Sequence, residues 1–343
     1  MDHIRPAGPD RRRQPFSWVA VAAVVLVAGT ACLVAAQSQD ASPEAHAISF
    51  LSAEVPRWPT KNNCFSCHNN GDAARALYTA VGMGYEVEAE ALRDTTAWLQ
   101  EPEAWDDNAL GLEFADKKLA RIQFAGALGD AMVAGAISDP TPLADAAALI
   151  AADQADDGSF PLDTSGSIGS PATYGTALAT GAALRALRQA GTTDLAPVIA
   201  RADAWVRGIE VKSVNDAAGV VLALGSAGDP AAIAQRQRCL ELITKGRAPS
   251  GGWGAYLTSA VESFDTALVV LALQPLLGRP ELAAPAIDGD TLTRMVAGGR
   301  LFLLAEQLED GSWVETTRPA GQQSYAQYIS TTGWVTLALL ATQ

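Results

Sequence analysis

Histidine is nearly absent from this sequence. The 343 residues hold three, His3, His46 and His68, so nothing after residue 68 can serve as a histidine base or metal ligand. That excludes many hydrolase and zinc mechanisms from most of the chain. Basic residues are also short: 24 Lys and Arg face 38 Asp and Glu, for a formal net charge of −14. Such a surface repels phosphate backbones and excludes nucleic acid as a partner. Period-2 alternation of β-branched residues is missing, which excludes a sheet protein. What is abundant is apolar material, 49% of residues against 18% charged. Disorder needs low hydrophobicity as well as charge, so the chain has a core to build.

The N-terminus reads as a targeting segment. Arg11, Arg12 and Arg13 precede Phe16–Ala36, a run without charge. A basic region before an apolar one is the signature of a secretory signal, with Val34-Ala35-Ala36 as an acceptable cleavage site. The run is also long enough to span a bilayer, in which case the arginines hold the N-terminus in the cytoplasm. Residues 1–36 are therefore expected to be a signal peptide or membrane anchor and 37–43 a linker. Residues 44–343 are then exported, to the periplasm or to the periplasmic face of the inner membrane.

Alanine and leucine dominate the remainder, and helical patterns lie near 44–55, 71–82, 87–100, 118–137, 141–153, 172–190, 195–208, 213–226, 230–245, 261–277, 290–308 and 326–341. Asp139-Pro140, Ser170-Pro171 and Asp229-Pro230 are cap-then-proline starts. The helices pair into a repeat. Gln307-Leu308-Glu309-Asp310-Gly311-Ser312-Trp313 ends one helix, Gln154-Ala155-Asp156-Asp157-Gly158-Ser159-Phe160 another, and Ser250-Gly251-Gly252-Trp253 is a looser copy. Each precedes a helix rich in small residues. A period near fifty residues is a helix-pair array, in which neighbours must stack to bury their apolar faces.

Gly299, Phe302, Leu303, Gln307, Gly311 and Trp313 resemble the Gln-Trp motif of squalene–hopene cyclases and the related prenyltransferase repeats. The resemblance covers residues 140–343 well and 44–140 weakly. It implies an all-α fold, an α/α toroid of about six helix pairs, with the motif Gln and Trp as scaffold. The family's chemistry does not follow. The Asp-x-Asp-Asp acid motif of triterpene cyclases is missing; the nearest string, Asp153-Gln154-Ala155-Asp156-Asp157, has the wrong spacing. Zinc ligands of the prenyltransferase kind are missing too. An apolar ring interior would still suit a small apolar ligand.

The sharpest chemical motif is Cys64-Phe65-Ser66-Cys67-His68, C-x-x-C-H, the attachment site of a c-type haem. Two thiols add across the haem vinyl groups, and His68 reaches the iron as proximal ligand. A redox disulfide, a zinc site with His68, and a structural disulfide are the competing readings. The motif is expected in a loop at 58–70 that replaces the Gln-Trp loop of the first repeat. His46, Met83 and Lys61 are the sixth-ligand candidates, and an open sixth position is the expectation. Cys239 reads as a buried inert thiol. Asp106 and Asp107 read as a solvated loop or cap, and Arg185, Arg188 and Arg201 as surface residues. These residues point to an exported haem protein with a redox partner, working in electron transfer or haem-ligand binding. The alternative is a lipid- or terpenoid-binding or processing enzyme, or a non-catalytic extracytoplasmic scaffold, with structural cysteines.

Overall fold

The computed structural model describes residues 42–107, 116–162, 174–279, 281–282, 287–317 and 323–343. Residues 1–36, expected to be a signal or anchor segment, lie outside them. Among the described residues no helix is long and apolar enough to cross a membrane.

Twelve long helices account for the described chain: α1 (Pro43–Asn62), α2 (Ala74–Gly82), α3 (Ala89–Leu99), α4 (Lys117–Val133), α5 (Thr141–Ala152), α6 (Gly175–Ala190), α7 (Ala196–Gly208), α8 (Val214–Leu224), α9 (Pro230–Gly246), α10 (Ser263–Leu273), α11 (Gly289–Ala305) and α12 (Tyr325–Ala341). No strand occurs among the described residues. A π-helix, Cys67–Ala73, runs straight into α2. Even-numbered helices pack on one another in sequence, and α12 returns onto the π-helix and α2, closing an inner ring. Odd-numbered helices form the outer layer.

Composition sorts the two layers. In α10 nine of eleven residues are buried, including Phe264, Asp265 and Thr266, so the helix is apolar almost all round. In α7 only Ala202 and Val206 of thirteen are buried, a narrow stripe against the inner ring.

The motif loops are the fasteners. Gln307 Nε2 donates to Gly311 O of its own loop at 3.0 Å and to Pro43 O of α1 at 2.8 Å, joining the last repeat to the first. Gln154 does the same with Gly158 O (3.0 Å) and Val198 O of α7 (2.9 Å). In the looser copy Arg247 takes the place of Gln and donates to Arg294 O of α11 at 3.1 Å. Trp313 and Trp253 are fully buried and donate to Leu303 O (2.7 Å) and Ile243 O (2.8 Å). Gly158, Gly251 and Gly311 have φ of 93°, 94° and 91°. A Cβ on each would fall 2.4 to 2.7 Å from a backbone oxygen of the next outer helix, so left-handed backbone and close approach both demand glycine.

The first repeat differs from expectation. Residues 58–62 are the last turn of α1, which continues through Pro56 and Pro59, and Cys67–Asn70 are helical. Only 63–66 form a connection. The expected loop over 58–70 is therefore too long, because Ser66 caps the π-helix through the His68 and Asn69 N–H groups and draws both into it.

Candidate functional site

The first two turns of the π-helix, α4 and α12 and the start of α6 meet at one level of the ring. Five or six residues into the π-helix, Asp72 stands among them, 2% exposed. Its partners come from two other inner helices and the start of a third. Gln123 Nε2 of α4 donates to Oδ2 at 2.8 Å, and Ser330 Oγ of α12 donates to the same oxygen. Tyr174 Oη, at the start of α6, donates to Oδ1 at 2.7 Å. Trp334 Nε1 of α12 donates to Tyr174 Oη at 3.2 Å. Phe264 of α10 completes the layer, its ring centroid 6.4 Å from Tyr174 and 6.0 Å from Trp334. Aromatic side chains of α10, α12 and the start of α6 thus meet one another beside Asp72. Gly333 lets α12 approach: a Cβ there would sit 2.9 Å from Asp72 O.

The carboxyl in this layer resists ionisation. Burial raises the Asp72 pKa, while its three donors and the Arg75 charge pull it back. The Tyr174 phenol is pushed well up by burial and by Asp72 beside it, so it stays protonated. A phenol and a hydroxyl around a carboxyl satisfy either protonation state, because each can donate or accept.

One turn further along, the chemistry reverses. Arg75 Nε donates to Asp130 Oδ2 at 2.8 Å, and its guanidinium lies over Trp334, 5.1 Å from the ring centroid. Arg185 of α6 donates to both Asp130 oxygens, one contact at 3.3 Å. Two guanidinium groups hold the Asp130 carboxyl below the usual range against its burial. Arg185, read from the sequence as a surface residue, is part accessible and ion-paired to Asp130. Asp130 and the Arg75 charge act on it from the adjoining inner helices.

The C-x-x-C-H residues lie at the motif end of the first inner helix. Cys64 and Cys67 are free and partly accessible. His68 is 7% exposed, its pKa lowered by burial to about 4, and Nδ1 has no hydrogen-bond partner. Burial raises the Cys67 thiol far above its ordinary range. Phe65 stacks on Trp98 at 4.7 Å, and Trp58 on Tyr325 at 5.4 Å, around this connection. Four residues separate His68 from Asp72, which places them on one side of the helix. Among the described residues no group of three or more His, Cys, Asp and Glu could hold a metal ion. His46 is exposed on α1, and Met83, 44% exposed, ends α2 at the opposite end of the ring from Cys67. Lys61 is exposed in the last turn of α1. Cys239 is fully buried with its pKa pushed up to about 12, an inert thiol. Asp106 pairs with Arg121, which also reaches Asp153, so it fastens helices rather than merely facing water.

Sequence reasoning missed Asp72, Arg75, Gln123, Tyr174 and Asp130. The available signal was the set of polar residues inside otherwise apolar helices, Asp72, Gln123 and Asp130 above all.

No family model and no curated protein matches the chain. Solved structures do. The ligand-free type II terpene cyclase MstE from Scytonema is 16% identical, with a TM-score of 0.54, covering 87% of this chain and 97% of that one. An arginine-to-alanine variant of it with geranylgeranyl dihydroxybenzoate bound as substrate gives 15% and 0.53 over 87% and 97%. An aspartate-to-alanine variant with merosterolic acid A bound as product gives 16% and 0.53 over 88% and 97%. The fold is the cyclase-like α/α architecture. These neighbours overturn the expectation of an electron-transfer or haem-ligand-binding protein: they bind an isoprenoid substrate and product, which fits the lipid or terpenoid alternative.

Proposed function

We propose that the ring binds an isoprenoid lipid and converts it by acid chemistry, with Asp72 as proton donor. One observation carries this reading: a buried carboxyl, held toward its protonated form by burial, sits among the inner helices on a phenol and a hydroxyl. The neighbours lend support through the ligands they hold. An acid in a water-poor setting gives up its proton to a weak base only when no better base is near, and a buried carboxyl among neutral donors meets that condition. In the step, the Asp72 O–H bond breaks and a C–H bond forms on an alkene carbon. The resulting carbocation later loses a proton from another carbon, so the product is an isomer of the substrate and no co-reactant is consumed. Tyr174 and Ser330 stabilise the carboxylate left behind.

The experiment incubates residues 37–343 with geranylgeranyl chains bearing benzoate, alcohol or diphosphate heads in D2O. An isomer carrying one new deuterium is expected, and Asp72→Asn should lower its rate by at least about 1,000-fold, the scale of a lost acid. Equal turnover in Asp72→Asn, or none in the unaltered chain with all three lipids, overturns the proposal.

We also propose export through residues 1–36, and covalent attachment of haem c at Cys64 and Cys67 with His68 on the iron. Support for attachment is the neutral, buried imidazole whose Nδ1 lacks a partner, beside two free thiols. When bound, the group supplies an iron porphyrin beside the motif end of the ring. Producing the chain with a cytochrome c maturation system should give a haem stain that survives denaturing electrophoresis and vanishes in the Cys64→Ser, Cys67→Ser double variant. A colourless, folded product overturns attachment.

A further inference from the structure

Arg75 and Arg185 are unlike the other arginines of the chain. Arg121, Arg207 and Arg300 are ion-paired between helices near the outside of the ring, with one or two carboxylates each. Arg75 and Arg185 share one carboxylate, Asp130, on three successive inner helices. Both feel burial: it is the largest influence on each, and the Arg75 charge further lowers the Arg185 pKa. Yet 20% of the Arg75 side chain and 38% of the Arg185 side chain are accessible. Each side chain is thus packed on one side and open on another, within reach of a ligand. Only Nε of Arg75 has an acceptor among the described residues, leaving its two terminal nitrogens with their donors unspent.

The local charge does not balance. The ionisable groups acting on the pair are Asp130 of α4, Asp72 of the π-helix and Tyr174 before α6. Tyr174 is neutral. With the Asp72 proton in place, two guanidinium groups share one carboxylate, Asp130. Planar guanidinium forks are suited to a carboxylate or a phosphate.

We propose that Arg75 and Arg185 form the binding site for an acidic head group on the lipid, a carboxylate held within the bore on the side of Asp72 away from the motif loops. The inference deepens the proposed function and rests on it for the apolar chain of the ligand. It also serves the acid. The Arg75 charge draws the proton off Asp72, and an anion beside Arg75 offsets that pull. A ligand with the right head thereby keeps the donor loaded.

The test measures binding by calorimetry, without turnover, for four probes: geranylgeranyl dihydroxybenzoate, its methyl ester, geranylgeranyl diphosphate and dihydroxybenzoate alone. The free acid should bind at least about tenfold more tightly than the ester, a gap of roughly 1.4 kcal/mol. Arg185→Gln should close that gap, and Arg185→Lys should restore part of it. The accessible Arg185 is chosen because its loss leaves the buried Arg75–Asp130 contact in place to support folding. Diphosphate binding more tightly than the carboxylate, with the same Arg185 dependence, would overturn the carboxylate assignment in favour of a phosphate head. Equal affinity of acid and ester, or a gap unchanged in Arg185→Gln, overturns the site. If both acid and ester are isomerised equally, the acid chemistry stands and this inference falls. If the acid binds selectively and no isomer forms, this inference stands and the proposed function falls.

Discussion

Two carboxyls stand in the same bore about two turns of helix apart, and their surroundings set them to opposite tasks. Asp72 is ringed by neutral donors, Tyr174, Ser330 and Gln123, and burial raises its pKa. Asp130 is gripped by two guanidinium groups, and its pKa is lowered. Both are nearly inaccessible, so burial alone does not decide the outcome; the charge of the donors does. The lesson is that one ring can hold a proton source and a charged clamp side by side, with Arg75 linking them: it bonds to Asp130 and its field reaches Asp72. Paired carboxyls whose environments push them apart are the usual arrangement where acid and anion roles must be separated.

The contrast is broken most forcefully at Asp130. Asp130→Ala leaves Arg75 and Arg185 without their carboxylate in a partly desolvated space. Removing one partner of a buried ion pair costs about 3–5 kcal/mol, and the accessible part of Arg185 draws the expectation to the lower end, about 3 kcal/mol. Urea unfolding of the variant beside the unaltered chain measures it. A loss under about 1 kcal/mol would mean that the clamp is weak and that Asp130 owes its low pKa to something else.

Much of the scaffold was legible in the sequence, and the centre was not. The twelve helices were marked by composition, and α9 also by its cap-then-proline start, where Asp229 accepts from the Ala232 N–H at 3.0 Å; the Ser170-Pro171 start lies outside the described residues. Gln307, Gly311 and Trp313 were readable as scaffold because one loop recurs, and recurrence exposes a structural part. Asp72 and Arg75 occur once. Their meaning comes from Gln123, Tyr174, Ser330 and Trp334, which lie 48 to more than 250 residues away along the chain and meet only when the ring closes. The partner of Arg185 was hidden for the same reason: from α6 alone it resembles Arg188, which pairs with Asp203. The first repeat misled in another way, since Ser66 extends helix into what reads as a loop.

The acid dependence of stability sharpens the comparison with opposite signs. Asp130 has a folded pKa below its unfolded value, about 3.9. Its contribution is therefore present above pH ~4 and is lost as pH falls through the folded pKa. Asp72 has a folded pKa above that value. Its contribution is complete below pH ~4 and is lost as pH rises from there through the folded pKa. Each group can tilt the curve by at most about 1.4 kcal/mol per pH unit. Unfolding free energies taken by urea from pH 3 to 7 should show Asp72→Asn removing a decline on the upper side. Asp130→Asn should remove a decline on the lower side. Identical curves for the two variants would mean that the carboxyls are not set apart.

The smallest effect is expected from Asp72→Asn on stability at neutral pH, and it is the most telling for the proposed function. An asparagine keeps the size of the side chain. Its carbonyl can still accept from Gln123 and Ser330, and its amide can donate to Tyr174, as a protonated carboxyl would. If Asp72 is held toward its neutral form, the change costs at most about 1 kcal/mol, the worth of one rearranged hydrogen bond. A carboxylate serving Arg75 as a counter-ion would behave differently: its removal would leave Arg75 and Arg185 facing Asp130 alone and would cost severalfold more. Thermal and urea unfolding of Asp72→Asn beside Asp130→Asn therefore separates the two assignments. Comparable losses in both variants would make Asp72 a structural counter-ion, and an acid role would have to be sought elsewhere in the ring.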